Sequence, residues 1–418
     1  MKKMICLMVM ILAVAFSSAT IAAERKMLTI GVSGTYSGGF ASVGKSVSDG
    51  ESDYLKWLGS RGGMEYISPD GGTEQVGLRV IVEDNRYNPA KSMSVYESLK
   101  AKGANMIIGF GSTPGQVCAE SASEDRIPYL SWYAYATPLG YRSRPQYYWT
   151  FLPTIAESAT PMIKWFVREK WKGPGKARIG IMAADVPSWR ILGKPGMMDG
   201  YIRSIGGELG GIEFIPLVSP DLSAVIAKLL MEKQVNALIL IGTSSHTVVL
   251  AKNIKQMGID LQKITVICNI SAWDETLFQS APEDIEGLYG EIHTVLPDED
   301  VPGMQWVREV AALAGRKPEE MVVNYISGVI GSMILETAVR NALEKHGYEK
   351  VARSGEYIRE EIHTFKTFDP AGLSAPVGAL HPDQPYFYNY AKIVRASKGK
   401  FTEAGKWISI DRIPGSME

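Results

Sequence analysis

Short apolar runs alternate with stretches of helical periodicity along the first part of the chain. The apolar runs are too short for buried helices and end in Gly, Ser, Thr, Asp or Asn. Strands that alternate with helices of this kind indicate βαβ units and a parallel sheet. The predicted strands are residues 28–32, 78–82, 106–108 and the segment at Tyr129, and the predicted helices are 43–58, 89–102 and 114–125.

The same alternation begins again after residues 147–153, which are typical of a crossover. The sequence therefore predicts an α/β protein with two doubly wound parallel-sheet lobes of similar order. The predicted strands of the second lobe are residues 177–182, 211–216, 237–241 and 264–268, with helices after Pro195, over 222–233 and up to Met257.

The pattern changes after Gly287, where helices at 301–314 and 322–343 precede an extended segment and a strand at 386–395. We expect the helices to return to the first lobe and the tail to the second, which gives a three-segment hinge between rigid halves. The predicted domains are an N-terminal lobe of residues 24–150 and 292–370 and a C-terminal lobe of residues 151–291 and 371–418.

Residues 1–23 have the composition of a secretory signal peptide. Lys2 and Lys3 precede an apolar run that ends near Phe16, and small residues follow. A membrane anchor is the alternative, but the apolar run is short. We expect cleavage after Ala22 or Ala23 and a periplasmic mature protein.

Composition excludes several classes of protein. The 418 residues carry a formal net charge of −1, so there is no basic excess to neutralise nucleic-acid phosphates. The predicted mature chain contains Cys118 and Cys268, on a helix and a strand of different lobes. We expect two buried free thiols rather than a disulfide scaffold or a metal cluster.

Candidate binding residues lie at the predicted strand ends, because open α/β sheets bind ligands beyond the carboxyl ends of their strands. At one of these ends, Thr113 has the position of a helix N-cap and Pro114 that of the first helical residue. A helix N-terminus there would suit a carboxylate. Each Ser or Thr alone is more often a simple cap, so the prediction depends on their joint position. The candidates are Phe40, Ser112, Thr113, Ser131, Tyr133 and Tyr135 in the first lobe and Asp185, Trp189, Ser244, Ser245 and Asn269 in the second.

The sequence gives little support to catalysis. Among the five histidines only His246 follows a predicted strand, and none is spaced as a metal pair. Gly109-x-Gly111 with Gly115 has one residue too many for a dinucleotide fingerprint. We therefore predict no enzyme, no catalytic residue, no cofactor and no metal site.

Several short motifs occur in an order that matches a known family. They are Gly34-x-x-Ser37-Gly38-x-x-Ala41-x-x-Gly44, Asp84 to Pro89-Ala90, Ile108-Gly109 before a Ser/Thr turn, and Ile127-Pro128-x-Leu130-Ser131. On these the chain resembles the periplasmic solute-binding proteins of ABC importers, in the branched-chain amino acid (Leu/Ile/Val-binding) family with the type I fold. The resemblance implies capture of a ligand between closing lobes and delivery to ABC permease and ATPase subunits in the inner membrane.

The resemblance also implies roles for individual residues. Ser112 and Thr113 match the family's hydroxyl that holds a ligand carboxylate, and Ala134 matches a position whose backbone contacts the ligand. Tyr135 stands where amino-acid binders commonly carry Thr, and Ser244 or Ser245 matches a second-lobe contact. Residues 269–271 stand where amino-acid binders place the Glu that pairs with the ammonium, and the next acid is Asp274.

That departure determines the predicted ligand. Burying an unpaired ammonium costs several kcal/mol, whereas a micromolar binder gains only about 8 kcal/mol in all. We therefore predict an apolar or aromatic carboxylate, or an amide-like solute, held by a monomer with Tyr133 and Tyr135 as walls and Trp189 as a lid. A branched-chain amino acid paired with Asp185 is the less favoured alternative. A ligand-sensing receptor for a signalling partner and a secreted hydrolase are the alternative functions, although the sequence offers the hydrolase no triad.

Overall fold

The first sheet is mostly parallel and runs in the order β2-β3-β1-β4-β5-β6. The computed structural model describes residues 26–132, 146–378 and 386–416. Only β2 is antiparallel to its neighbour. The strands are Met27–Gly34 (β1), Met64–Ile67 (β2), Thr73–Asp84 (β3), Met106–Phe110 (β4), Tyr129–Trp132 (β5) and Tyr148–Thr150 (β6).

The second sheet runs in the order β13-β12-β11-β10-β9-β7-β8, and β14 pairs with β12. The strands β8, β7, β9, β10 and β11 are parallel, whereas β12 joins the sheet antiparallel to β11. The strands are Arg178–Ala184 (β7), Glu208–Ile215 (β8), Ala237–Ile241 (β9), Thr265–Cys268 (β10), Tyr289–Ile292 (β11), Tyr390–Ser397 (β12), Lys400–Glu403 (β13) and Ile408–Ser409 (β14).

Helices cover both faces of the sheets. In order they are Ala41–Ser60 (α1), Pro89–Ala101 (α2), Ser112–Asp125 (α3), Ile155–Ser158 (α4), Thr160–Trp165 (α5), Met198–Ser204 (α6), Ser223–Ala227 (α7), Ser244–Gln256 (α8), Leu277–Ser280 (α9), Pro302–Leu313 (α10), Val323–His346 (α11), Tyr348–Arg353 (α12) and Glu356–Thr364 (α13). Short 3₁₀ segments follow β7 at Pro187–Gly193 and β10 at Ile270–Ala272.

Burial on both faces explains the apolar runs of the sequence. Met106 and Ile108 of β4 belong to the core that α1 covers, whereas Ile107 packs on the opposite face with Val95 and Cys118 of α2 and α3. A parallel strand covered by helices on both sides needs apolar residues at every position rather than at alternate ones.

The chain passes between the sheets three times, after β6, after β11 and before β12. Between the last two crossings it forms α10 to α13, of which α11 packs along α1 of the first lobe. The predicted fold, with two α/β lobes and a three-segment hinge, is confirmed. The residue boundaries of the lobes stay a prediction, and the signal peptide at residues 1–23 lies outside the described residues.

Cys118 and Cys268 are both free and buried, as the sequence predicts. Burial raises the pKa of each thiol to about 12, so both remain protonated. Within the described ranges, no helix has the length and apolar character needed to cross a bilayer.

Candidate functional site

The helix α3 starts at Ser112, directly after β4, and its N-cap residue is Gly111. The prediction that Thr113 is the N-cap and Pro114 the first helical residue is therefore wrong by two positions. Gly111 has a φ of 109°, and a Cβ there would lie 2.6 Å from the ring of Tyr87. The chain needs glycine at this turn because an L side chain would be strained and would collide with Tyr87.

Ser112 brings the two lobes together through hydroxyl groups. Its Oγ lies 3.1 Å from the hydroxyl of Tyr87 and 3.3 Å from Oγ of Ser188, which belongs to the 3₁₀ segment after β7. Ser112 is buried and Thr113 is half-buried beside it. The free N–H groups of the first turn of α3 point out of its N-terminus, beside these two hydroxyls. They give this end of the helix a partial positive charge.

Aromatic rings meet at the same boundary. Phe40 stacks on Tyr87 with ring centroids 4.1 Å apart, and the edge of Trp189 from the second lobe approaches Phe40 at 5.8 Å. Phe40 and Trp189 are each only 1% exposed. The lobes are therefore in contact here, and the predicted lid residue lies against the first lobe.

Ser131 and Asn269 are used to tie neighbouring strand ends together. Ser131 donates to the carbonyl of Gly111 at 2.9 Å. Asn269 accepts from the amide of Gly242 at 3.0 Å and donates to Ser271 at 2.9 Å. Both side chains are buried and have partners within the fold, so they position the turns after β4 and β9.

Ser244 and Ser245 open α8 after a capping box. The amide of Thr243 donates to Nδ1 of His246 at 3.1 Å, and Nε2 of His246 lies 3.0 Å from the carbonyl of Pro216. His246 is thus a capping residue, and burial lowers its pKa. Ser244 is buried with no hydrogen-bond partner for its Oγ in the described chain, whereas Ser245 is exposed.

Asp185 is exposed at the end of β7 and already has a cation. Arg190 donates to both of its carboxylate oxygens, Nε to Oδ1 and Nη2 to Oδ2, each at 2.8 Å. This bidentate arrangement is a strong, charge-assisted way for arginine to bind a carboxylate. An ammonium group of a ligand would have to compete with Arg190 for it.

Comparison with known proteins decides the family. The sequence model of the family described as periplasmic binding protein matches residues 27–400. The chain belongs to the periplasmic binding protein family. The resemblance to periplasmic binding proteins that the sequence motifs indicated is confirmed at the level of this family. No curated protein sequence matches.

Solved structures share the fold of this periplasmic binding protein. A branched-chain amino acid ABC transporter protein from Thermus thermophilus with bound valine has a TM-score of 0.77 and 17% identity, over 92% of this chain and 97% of that one. A fatty acid ABC transporter substrate-binding protein from Thermomonospora curvata has a TM-score of 0.72 and 17% identity, over 92% of both chains. A solute-binding protein from Rhodopseudomonas palustris BisB5 in complex with 3,4-dihydroxybenzoic acid has a TM-score of 0.70 and 17% identity, over 94% and 99%.

The predicted wall residues Tyr133 and Tyr135 of this periplasmic binding protein, and the predicted backbone contact at Ala134, lie outside the described residues. They follow Trp132, the last residue of β5, whose carboxyl end adjoins that of β4. Their part in the site stays a prediction.

Sequence reasoning missed Tyr87, which contacts both Phe40 and Ser112. The available signal was the polar turn Asp84-Asn85 at the end of β3. Because β3 pairs with β1, this turn lies next to the turn that carries Phe40. Tyr87, an aromatic residue two positions after this polar turn, could therefore have been added to the candidates.

Two acids after β10, the buried Asp274 and the half-buried Glu275, tie the lobes together. Glu275 Oε2 accepts from the amide of Val323 at 3.0 Å, and Asp274 Oδ2 accepts from Nδ2 of Asn324 at 2.9 Å. Val323 and Asn324 form the first turn of α11 in the first lobe. Burial raises the pKa of both carboxyls, that of Glu275 to about 8.

A buried Glu–His pair lies at the carboxyl end of β11. Nε2 of His293 is 3.4 Å from Oε1 of Glu291, and neither side chain is exposed. Burial raises the pKa of Glu291, while His293 acts in the opposite direction. The ring of Tyr388, in the last crossing between the lobes, meets His293 edge-on at 5.6 Å. In the described ranges no group of three or more His, Cys, Asp or Glu could hold a metal.

Proposed function

We propose that this periplasmic binding protein captures an organic carboxylate with an apolar or aromatic body and delivers it, unaltered, to the permease and ATPase subunits of an ABC importer. The observation that carries the proposal is that the lobes meet in two contacts, Ser112 at the N-terminus of α3 with Ser188, and Phe40 with Trp189. A helix N-terminus with hydroxyls attracts a carboxylate, and aromatic walls bury an apolar body.

The charges at the lobe boundary support a ligand without an ammonium group. Asp185 is paired with Arg190, and Asp274 and Glu275 accept hydrogen bonds from α11. Residues 269–271, after β10, contribute no acid. An ammonium that bound Asp185 or Asp274 would therefore have to compete with Arg190 or Asn324 for the carboxylate. This argument ranks an amide-like solute above a branched-chain amino acid.

The ligands named for structural neighbours share one chemical group. Valine, a fatty acid and 3,4-dihydroxybenzoic acid are all organic acids. Because the neighbours are only 17% identical, they support a carboxylate in general rather than any one of these compounds.

The proposed site has donors, walls and supports. Ser112 and Thr113 donate hydrogen bonds at α3, and Ser244 and Ser245 face the ligand from α8, whose first turn also has free N–H groups. Ser131 and Asn269 act indirectly in this proposal, because their hydrogen bonds position the turns after β4 and β9. The aromatic walls are Phe40, Tyr133, Tyr135 and Trp189, with the backbone of Ala134 between them.

The proposed assembly is a monomer of two lobes, residues 24–150 with 292–370 and residues 151–291 with 371–418. The leader at residues 1–23 would be removed on export to the periplasm. Recovery of an unchanged ligand after prolonged incubation would agree with a binding protein rather than a hydrolase.

A thermal-shift screen tests the ligand class. Benzoate, 3,4-dihydroxybenzoate and octanoate should each be compared with valine and with neutral benzamide. Ligand that binds only the folded chain raises the unfolding temperature by mass action. We expect the largest rise from one of the three acids. Stabilisation by valine or benzamide alone would refute the proposed carboxylate class.

The substitution Ser112→Ala tests the site itself. Removing a hydroxyl that donates to a carboxylate costs about 1.5–3 kcal/mol, so calorimetry should show at least about tenfold weaker binding of the best acid from the screen. Ser123→Ala is the matched control, because within the described residues the Ser123 hydroxyl bonds only its own helix, at the carbonyl of Ala119. Equal affinity in both variants would place the carboxylate elsewhere.

A further inference from the structure

Tyr87 connects the two first-lobe groups that meet the second lobe. Its ring stacks on Phe40 at 4.1 Å, and its hydroxyl lies 3.1 Å from Ser112 Oγ. Phe40 in turn contacts Trp189, and Ser112 contacts Ser188. The ring and the hydroxyl of Tyr87 therefore each contact a first-lobe residue that itself contacts the second lobe.

The turn that carries Tyr87 has an unfavourable backbone. Arg86 and Tyr87 both have positive φ angles, 57° and 53°, although neither is glycine. Two successive non-glycine residues in the left-handed region cost free energy, and such strain is concentrated at functional sites. It persists only where the surrounding structure determines the conformation.

Hydrogen bonds from the preceding residues determine this conformation. The amide of Arg86 donates to Asp84 Oδ1 at 3.0 Å, and the amide of Tyr87 donates to Asn85 Oδ1 at 2.8 Å. Asn85 is itself fixed, because its Nδ2 donates to the carbonyl of Ser33 in β1 at 2.9 Å. The turn is thus anchored to the strand beside it.

Glycines on two other turns make room for this arrangement. A Cβ on Gly38 would overlap the carbonyl oxygen of Arg86, and a Cβ on Gly111 would lie 2.6 Å from the Tyr87 ring. Both glycines have positive φ angles. The turns that carry Gly38 and Gly111 therefore both leave room for the turn that carries Arg86 and Tyr87.

Packing alone does not account for Tyr87. It is half-buried at the edge of the core, and its hydroxyl reaches the first residue of a helix at the boundary between the lobes. We propose that Tyr87 lines the solute site, sets the size of the carboxylate that the site accepts, and orients the hydroxyl of Ser112 toward the carboxylate. This inference rests on the proposed function and names its specificity-determining residue.

The orienting role follows from the hydrogen-bonding capacity of Ser112. A serine hydroxyl has one proton to donate and can accept two hydrogen bonds. Burial raises the pKa of Tyr87, which keeps its phenol protonated and able to donate. If Tyr87 donates to Ser112, the single proton of Ser112 remains available for a ligand oxygen.

Calorimetry with benzoate and the bulkier 2-naphthoate separates these roles. Tyr87→Phe keeps the ring and should weaken benzoate binding about three- to tenfold, the effect of one hydrogen bond. Tyr87→Ala removes the wall and should raise the affinity for 2-naphthoate relative to benzoate by about tenfold or more, the scale on which pocket shape discriminates. Arg86→Ala is the matched control, because Arg86 has the same left-handed backbone and an exposed side chain.

Each outcome decides the inference. An unchanged naphthoate-to-benzoate ratio in Tyr87→Ala, with Ser112→Ala still impaired, would overturn the role of Tyr87 and leave the proposed function intact. Failure of the wild-type chain to bind benzoate, 2-naphthoate or any acid of the thermal-shift screen would overturn the proposed function, and the role of Tyr87 with it. Thermal unfolding of each variant shows whether it is folded. If Tyr87→Ala does not fold, the benzoate affinity of Tyr87→Phe still tests the orienting role of Tyr87.

Discussion

A single carboxyl in the first lobe is buried without compensation. Glu51 of α1 has no exposed surface, and neither of its carboxyl oxygens has a hydrogen-bond partner in the described chain. Burial raises the pKa of Glu51 well above its ordinary value. An ionised carboxylate in such a place would be very costly, so Glu51 is neutral in the folded protein.

We expect Glu51 to make the stability of the fold depend on pH. In the unfolded chain the residue titrates near its reference pKa of about 4.3, whereas the folded chain keeps the proton to much higher pH. The contribution of Glu51 to the free energy of unfolding is therefore fully present below about pH 4 and falls as pH rises through the window between the two pKa values. Glu51→Gln removes the titrating group. The free energy of unfolding of this variant, relative to that of wild type, should therefore increase from pH 4 to pH 8.

Urea unfolding at pH 4, 6 and 8 measures this difference. Glu65→Gln on the exposed side of β2 serves as the control for removing one acidic side chain. Parallel stability curves for Glu51→Gln and wild type across this range would contradict the prediction.

Individual site residues were predictable from the sequence where their position followed from a strand end. Phe40, Ser112 and Trp189 were chosen in this way, and the structure brings them to one boundary. The cap at Gly111 was not predictable, because it depends on the ring of Tyr87 from a turn 24 residues earlier. Contacts between turns of different strands carry no local sequence signal.

At the scale of elements, the closest packing is between α1 and α11. A Cβ on Gly50 would overlap the carbonyl oxygen of Tyr325, and a Cβ on Gly328 would overlap that of Val47. Ser332 one turn further along α11 donates to the carbonyl of Glu51 at 3.0 Å. The two backbones therefore touch, which is possible only because the facing positions have no side chain.

We expect alanine at either of these glycines to force the helices apart. Overpacking of this kind costs about 1–3 kcal/mol, so Gly50→Ala and Gly328→Ala should each lower the free energy of unfolding by that amount. Gly200→Ala in α6 is the matched control, because a Cβ there meets nothing within 4 Å. It should raise stability by about 0.5–1 kcal/mol. Equal effects at Gly200 and Gly328 in urea unfolding would contradict this account.

Most elements were predictable because their hydrophobic period is local. The strand β2 was missed because it has four residues and its exposed Ile67 breaks the alternation of apolar and polar side chains that indicates a half-buried strand. The last strand was predicted from residue 386, but β12 starts at Tyr390. Residues before it run across the hinge, where the amide of Tyr388 donates to the carbonyl of Phe151, a contact that no periodicity reveals.

At the scale of the whole molecule, the acids after β10 hold the lobes together at the N-terminus of α11. The helix packs along α1 of the first lobe, while Asp274 and Glu275 come from the second. Carboxylates at a helix N-terminus are favourable, but here Glu275 Oε1 is also buried with no partner in the described chain. Burial, and to a smaller extent Asp274 and Asp298, raise the pKa of Glu275 to about 8.

We expect closure of the lobes to depend on pH through Glu275. When the lobes part, the carboxyl meets water and its pKa returns toward about 4.3, so closing binds a proton. The closed state is therefore favoured fully below about pH 4 and loses this advantage as pH rises through about 8. Small-angle X-ray scattering of the ligand-free chain should give a larger radius of gyration at pH 8.5 than at pH 6.

The substitution Glu275→Gln keeps an oxygen acceptor for the amide of Val323 and should remove most of this change. Glu283→Gln, on an exposed part of the same lobe, should retain it. The same pH response in Glu275→Gln as in wild type would show that another group controls closure.

The unpaired state of Cys118 and Cys268 has a practical consequence. A fold that contains no cystine in its described part does not need oxidative enzymes to mature, so the chain without its leader can be produced in the reducing cytosol of a bacterium. Reductants in the buffer should leave it intact. A single cysteine introduced on the surface would then react alone with a fluorescent dye, which makes the protein a ready scaffold for a solute biosensor.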